Sequence, residues 1–85
     1  MSIFRELVEP KIVKILELLL ANKSKYFHLQ KIAEDAKVPL ASTFRIVRRL
    51  VSLNLVEQLT IGKMKIYKIA GNEKTRELDA LRRKR

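Results

Sequence analysis

Cysteine and tryptophan are both missing from this 85-residue chain, and histidine occurs once. Without cysteine there is no disulfide, no thiolate nucleophile and no cysteine-ligated metal. The lone His28 leaves zinc short of the three or four ligands it normally needs, because no clustered Asp/Glu spacing stands beside it. Glycine is scarce: Gly62 and Gly71 are too far apart to build a phosphate-cradling loop. Glu34 and Asp35 are adjacent and point apart on a helix, so they form no catalytic pair, and Ser42 and Thr43 lack a base to activate them. Long apolar runs are missing too. The longest, Leu18-Leu19-Leu20-Ala21, falls far below the ~18–20 residues of a membrane span. Arg5, Glu6 and Glu9 break up the apolar residues at the start, which is not a signal-peptide layout. These absences lead us to expect a soluble, cytoplasmic protein that is not an enzyme and uses no metal, cofactor or small-molecule ligand.

What the chain does have is positive charge. Nineteen Lys/Arg stand against nine Asp/Glu, a net of +10 with an isoelectric point near 10.3. Such a field attracts polyanions, nucleic acid first and an anionic surface second. The excess is uneven. Residues 1–40 hold seven basic and five acidic side chains, residues 41–85 twelve and four, so a net of +8 lies in the second half. Apolar residues make up 47% and charged residues 33%, a globular composition rather than a disordered one. A domain of this size buries roughly 60% of its unfolded surface. Its stability margin is modest, and dimerisation would help.

Apolar spacing divides the chain. Residues 10–22 read as a helix with Pro10 at its first position and Ile12, Val13, Ile15, Leu16, Leu19 and Leu20 on a broad apolar face. Upstream, Ile3, Phe4, Leu7 and Val8 suit a short helix, either an arm packed on the core or a dimerisation element. Residues 26–29 read as a short strand, and a second helix follows over about 29–36. Pro39 ends the connection and can open a third helix over about 40–53, with Thr43, Ile46, Val47, Leu50 and Leu53 facing the core. The opposite side carries Ala41, Ser42, Arg45, Arg48, Arg49 and Ser52, three arginines and no acid. Asn54 tolerates a left-handed turn. Residues 55–61 and 64–69 read as strands joined at Gly62-Lys63. Asn72 can cap a last helix over 73–82 that holds Leu78 and Leu81, ahead of the basic run Arg82-Arg83-Lys84-Arg85. Phe44 and Tyr67 could stack on bases, but packing in the core or wing suits them better.

This order of elements resembles the winged helix-turn-helix regulators of the arsenic-repressor (ArsR) and IclR kinds, over about residues 4–70. Phe4 to Leu20 is similar to their first helix, with its Phe, Pro and Ile-Leu-x-Leu-Leu pattern; Ile32-Ala33 to Val38 resembles the second helix and turn. Ala41-Ser42-Thr43-Phe44-Arg45 to Leu55-Val56 resembles the recognition helix and is the most specific match. Lys37 and Asn54 stand where the family usually has glycine, Pro39 near its usual serine cap, and His28 where Ser or Thr is common.

The resemblance implies a mainly helical α+β domain over 1–71, followed by a short basic C-terminal helix and tail over 72–85. It also implies a double-stranded DNA-binding transcription regulator. Helix 40–53 would read the major groove, and the 60–66 wing would reach the backbone or minor groove. Arg45 with Ser42 beside it is then the leading base contact, because recognition helices read with their N-terminal residues and a guanidinium can bond both acceptors of guanine. Ala41 shares that surface, while Arg48 and Arg49 meet phosphates. Lys63 and Lys65 are wing residues, Gln30 and Lys31 a phosphate site in the first turn of the second helix. Arg82, Arg83, Lys84 and Arg85 are either a DNA-grasping tail or a solvated end. A nucleoid-associated homodimer is expected, joined through residues 3–8, the C-terminal helix, or both. Two alternatives stay open: a non-specific architectural DNA-binding protein, and a winged-helix protein-interaction module.

Overall fold

Pro10 opens the first helix of the computed structural model, which describes residues 9–83. Helix α1 (Pro10–Ala21) buries Ile15, Leu19 and Leu20. Strand β1 is only two residues, Phe27–His28, and runs straight into α2 (Leu29–Ala36). After a three-residue turn comes α3 (Leu40–Ser52), which buries Thr43, Ile46, Val47 and Leu50. Strands β2 (Val56–Ile61) and β3 (Met64–Ile69) form the hairpin, and α4 (Glu73–Arg83) closes the described chain. The result is a mainly helical α+β fold, as the sequence reading expects, with helix and strand limits moved by a residue or two. No described helix is long and apolar enough to cross a membrane. The expected arm at residues 3–8, and Lys84 and Arg85, lie outside the described residues.

The period-3.6 faces of α1, α2 and α3 converge on one core, in which Ile15, Leu19, Phe27, Ile32, Ile46 and Val47 are essentially inaccessible. Truncating such a residue to alanine typically costs about 2–5 kcal/mol, much of the ~5–15 kcal/mol that a small domain has. The direction of α3 is therefore strongly fixed. Its start is fixed too: the buried Thr43 hydroxyl donates to the Pro39 carbonyl at 3.0 Å, and the Thr43 N–H donates to the same oxygen at 2.9 Å.

The sheet has the order β1-β3-β2, all antiparallel. Phe27 pairs with Tyr67, and Val56 with Ile69; all four side chains are buried. The hairpin turns on Gly62 at φ +61, the left-handed conformation that two-residue hairpins need to continue the strand twist. Lys37 (φ 58) and Asn54 (φ 63) end α2 and α3 at positive φ without being glycine. Asn54 suits that geometry; a lysine there stores strain.

Helix α4 departs from the expected pattern. Its buried residues are Thr75 and Asp79, Leu78 packs from the side, and Leu81 is exposed. Positions 75 and 79 lie one above the other, and the Asp79 carboxylate meets Lys23 from the loop after α1. The N-terminus of α4 is tightly capped: Asn72 Oδ1 accepts from the Thr75 N–H at 3.0 Å, and Thr75 Oγ1 accepts from the Asn72 N–H at 3.2 Å. Asn72 Nδ2 also donates to the Asn54 carbonyl at 2.7 Å, tying the end of α3 to the start of α4.

Candidate nucleic-acid interface

With four positions of α3 committed to the core, its remaining faces are fixed by helix geometry. Ala41, Arg45, Arg48, Arg49 and Ser52 are exposed, and Ser42 is half-buried. No acidic residue occurs within α3 itself. One comes from elsewhere: Arg45 Nη2 donates to Glu9 Oε1 at 2.9 Å, from the residue just before α1. Beside it, Lys11 Nζ donates to Ser42 Oγ at 3.5 Å. The two side chains placed first as base contacts are thus brought together with Glu9 and Lys11. Neither was anticipated, because both lie more than thirty positions away in sequence and no local spacing encodes the meeting.

Arg48 and Arg49 have no carboxylate partner among the described residues. The Arg48 guanidinium lies over the Phe44 ring, 5.5 Å from its centroid. Phe44 therefore does not pack in the core. It is exposed beside the arginines, because Thr43 and Val47 take the inward positions on either side of it. Tyr67, by contrast, is buried, as expected.

Lys63 sits in the turn and Lys65 at the start of β3, both exposed, and neither forms an ion pair among the described residues. Gln30 and Lys31 are exposed in the first turn of α2, where Lys31 makes a loose contact with Asp35 at 3.4 Å. Of the basic C-terminal run, the two described residues, Arg82 and Arg83, both meet an acid. Asp79 holds Arg82 through Nη2 at 2.9 Å and Nε at 3.2 Å, and Arg83 lies at 3.6 Å. Hydrogen bonds from Lys23 and then Arg82 hold the Asp79 carboxyl below the ordinary carboxylate range; burial pushes it upward, and the charges of Lys23 and Arg83 lower it further. Arg82 and Arg83 are thus held by an acid of their own helix, which Lys23 in turn ties to the loop after α1.

A family model of the IclR helix-turn-helix domain matches residues 11–60, from α1 into β2. The chain belongs to that family. It is a winged helix-turn-helix domain of a family of DNA-binding transcription regulators. No curated protein sequence matches it. Among solved structures, it is similar to AF1382 from Archaeoglobus fulgidus, with a TM-score of 0.74 and 18% identity over 94% of this chain and 88% of that one. It is also similar to the homodimeric winged helix-turn-helix DNA-binding domain of Mb0332 from Mycobacterium bovis, described as a possible ArsR-family regulator. There the TM-score is 0.68 and the identity 28%, over 91% of this chain and 68% of that one. The iron-bound ferric uptake regulator of Francisella tularensis shares the fold at 21% identity and a TM-score of 0.72, over 78% of this chain. This IclR-type domain spans 55% of that regulator's length.

Proposed function

We propose that this IclR-type domain binds double-stranded DNA as a homodimer and regulates transcription, reading bases in the major groove with α3. The wing would contact the backbone or minor groove. The carrying observation is the outward face of α3, where Arg45, Arg48 and Arg49 are exposed and, among the described residues, acid approaches only at Glu9. Arg45 and Ser42 lie in the N-terminal half of the helix, the part that meets base edges in this geometry; Arg48 and Arg49 follow toward the phosphates. Exposed Lys63 and Lys65 suit a wing lying on a strand of negative charge. Gln30 and Lys31, at the start of α2, could bind a further phosphate. Such a function places the protein on the cytoplasmic nucleoid, without catalysis or a bound effector.

Size and a neighbour both support dimerisation. One small module buries too little surface for strong specificity; paired modules set two recognition helices about one DNA turn apart. The Mb0332 domain is homodimeric. Leu81, 63% exposed on α4, is an apolar anchor for such a contact, with residues 3–8 the other candidate.

Selection of bound duplexes from a random pool tests the reading. A two-fold symmetric consensus is expected. Binding without enrichment would replace it with the architectural reading, and absence of binding at moderate salt would replace it with the protein-interaction reading.

A further inference from the structure

Phe44 has no reason to be where it is if α3 serves only as a basic surface. Its ring is 46% exposed, and one turn earlier Leu40 is 51% exposed, so two large apolar side chains stand next to each other at an i, i+4 spacing. Both lie in the N-terminal half of α3, along the edge of the arginine face. The Arg48 guanidinium covers the ring at 5.5 Å, a cation–π contact that restricts how the ring turns. Scattered exposed apolar residues need no explanation. An oriented ring among three arginines on the face that meets DNA has a definite chemical counterpart: of the four bases, only thymine offers an apolar group in the major groove, its 5-methyl.

We propose that Phe44, steadied by Arg48 and flanked by Leu40, packs against the 5-methyl group of thymine and gives this domain a preference for thymine beside the base read by Arg45. The inference rests on α3 entering the major groove, and it adds the chemical group that the apolar edge recognises. The contact is one of shape and desolvation, with no hydrogen bond. It discriminates against cytosine, whose C5 carries only hydrogen, more than among positions along the site.

Deoxyuridine isolates the effect, because it keeps the pairing edge of thymine and lacks only the methyl group. The full chain is titrated by fluorescence anisotropy against its best selected duplex and against copies with single thymines replaced by uracil. Wild type should lose about fourfold in affinity at one or two positions per half-site, the size expected from burying one methyl-sized group, and be indifferent elsewhere. Phe44→Ala should bind the thymine duplex as weakly as wild type binds the uracil one and no longer distinguish the two. Phe44→Leu should keep part of the discrimination. Equal wild-type affinity for thymine and uracil at every position, while Arg45→Ala still weakens binding, would overturn the methyl contact and leave the DNA-reading function standing. No association of wild type with any selected duplex would overturn both. The wild-type comparison needs no variant, so a poorly folding Phe44→Ala would not remove the test.

Discussion

Removing the charge of Glu9 should tighten DNA binding at a small cost in fold stability. The Arg45 guanidinium is bound to the Glu9 carboxylate at 2.9 Å, with 57% and 38% of the two side chains exposed. An exposed pair of this kind contributes about 0.2–1 kcal/mol, so Glu9→Gln should lower the thermal midpoint by about 1–8 °C. Binding is different. Arg45 has five N–H donors, and at least one must leave Glu9 for the side chain to turn fully toward a base or phosphate. The carboxylate also sits at the edge of a surface that must meet phosphates. Releasing up to ~1 kcal/mol of competition corresponds to about a two- to fivefold gain in affinity. One more cation free to displace counterions steepens the log–log salt dependence by about 0.9. Anisotropy titrations of wild type and Glu9→Gln on a random-sequence duplex, between 50 and 200 mM salt (a range of about fourfold in ionic strength), measure both quantities. Unchanged affinity together with an unchanged slope would refute the competition between Glu9 and DNA for Arg45.

Four further outcomes follow from the same geometry. Arg45→Ala should mainly erode sequence preference, whereas Lys63→Ala should weaken all duplexes alike; competition titrations with specific and random DNA distinguish the two. Lys37→Gly should stabilise the domain by about 1 kcal/mol, since it relieves a left-handed lysine, and raise the thermal midpoint by about 4–8 °C. Asn72→Ala removes the cap of α4 and the tie to Asn54, and should cost about 0.5–2 kcal/mol in denaturant unfolding. Asp79 has a lowered carboxyl pKa in the fold, so its ion pairs stabilise fully above the unfolded value of about 3.9 and are lost as pH falls through the lower folded value. Asp79→Asn should therefore flatten the acid side of the stability–pH curve, read by urea midpoints between about pH 5 and pH 2.

Local patterns carried most of the architecture. The spacing of Thr43, Ile46, Val47, Leu50 and Leu53 orients α3 and puts the three arginines outside; four of the five are buried, while Leu53, just past the helix end, is exposed. Pro10 and Asn54 marked helix ends for reasons of backbone conformation alone, and Gly62 marked the hairpin turn in the same way. Asn72 was readable as a cap because its side chain bonds only three residues away. What could not be read is what depends on tertiary proximity. Glu9 meets Arg45 across 36 positions, and Lys23 meets Asp79 across 56. Those two pairs changed the account of the arginine stripe and of the C-terminal run. Phe44 was misjudged for a different reason. Aromatic residues are usually packed away, and its place at the margin of the apolar face left either side open until Thr43 and Val47 were seen to fill the inward positions.

With α3 in the major groove and the wing beside it, a bound duplex is covered on both grooves. Chemical protection of a selected duplex by dimethyl sulfate reports on both grooves, because the reagent methylates guanine N7 in the major groove and adenine N3 in the minor groove. Guanine N7 atoms should be protected in two clusters about 10 base pairs apart, lost in Arg45→Ala, with protection of adenine N3 confined to the positions beside the wing. Bound complexes whose guanine N7 atoms methylate as freely as in naked DNA would contradict that placement of α3.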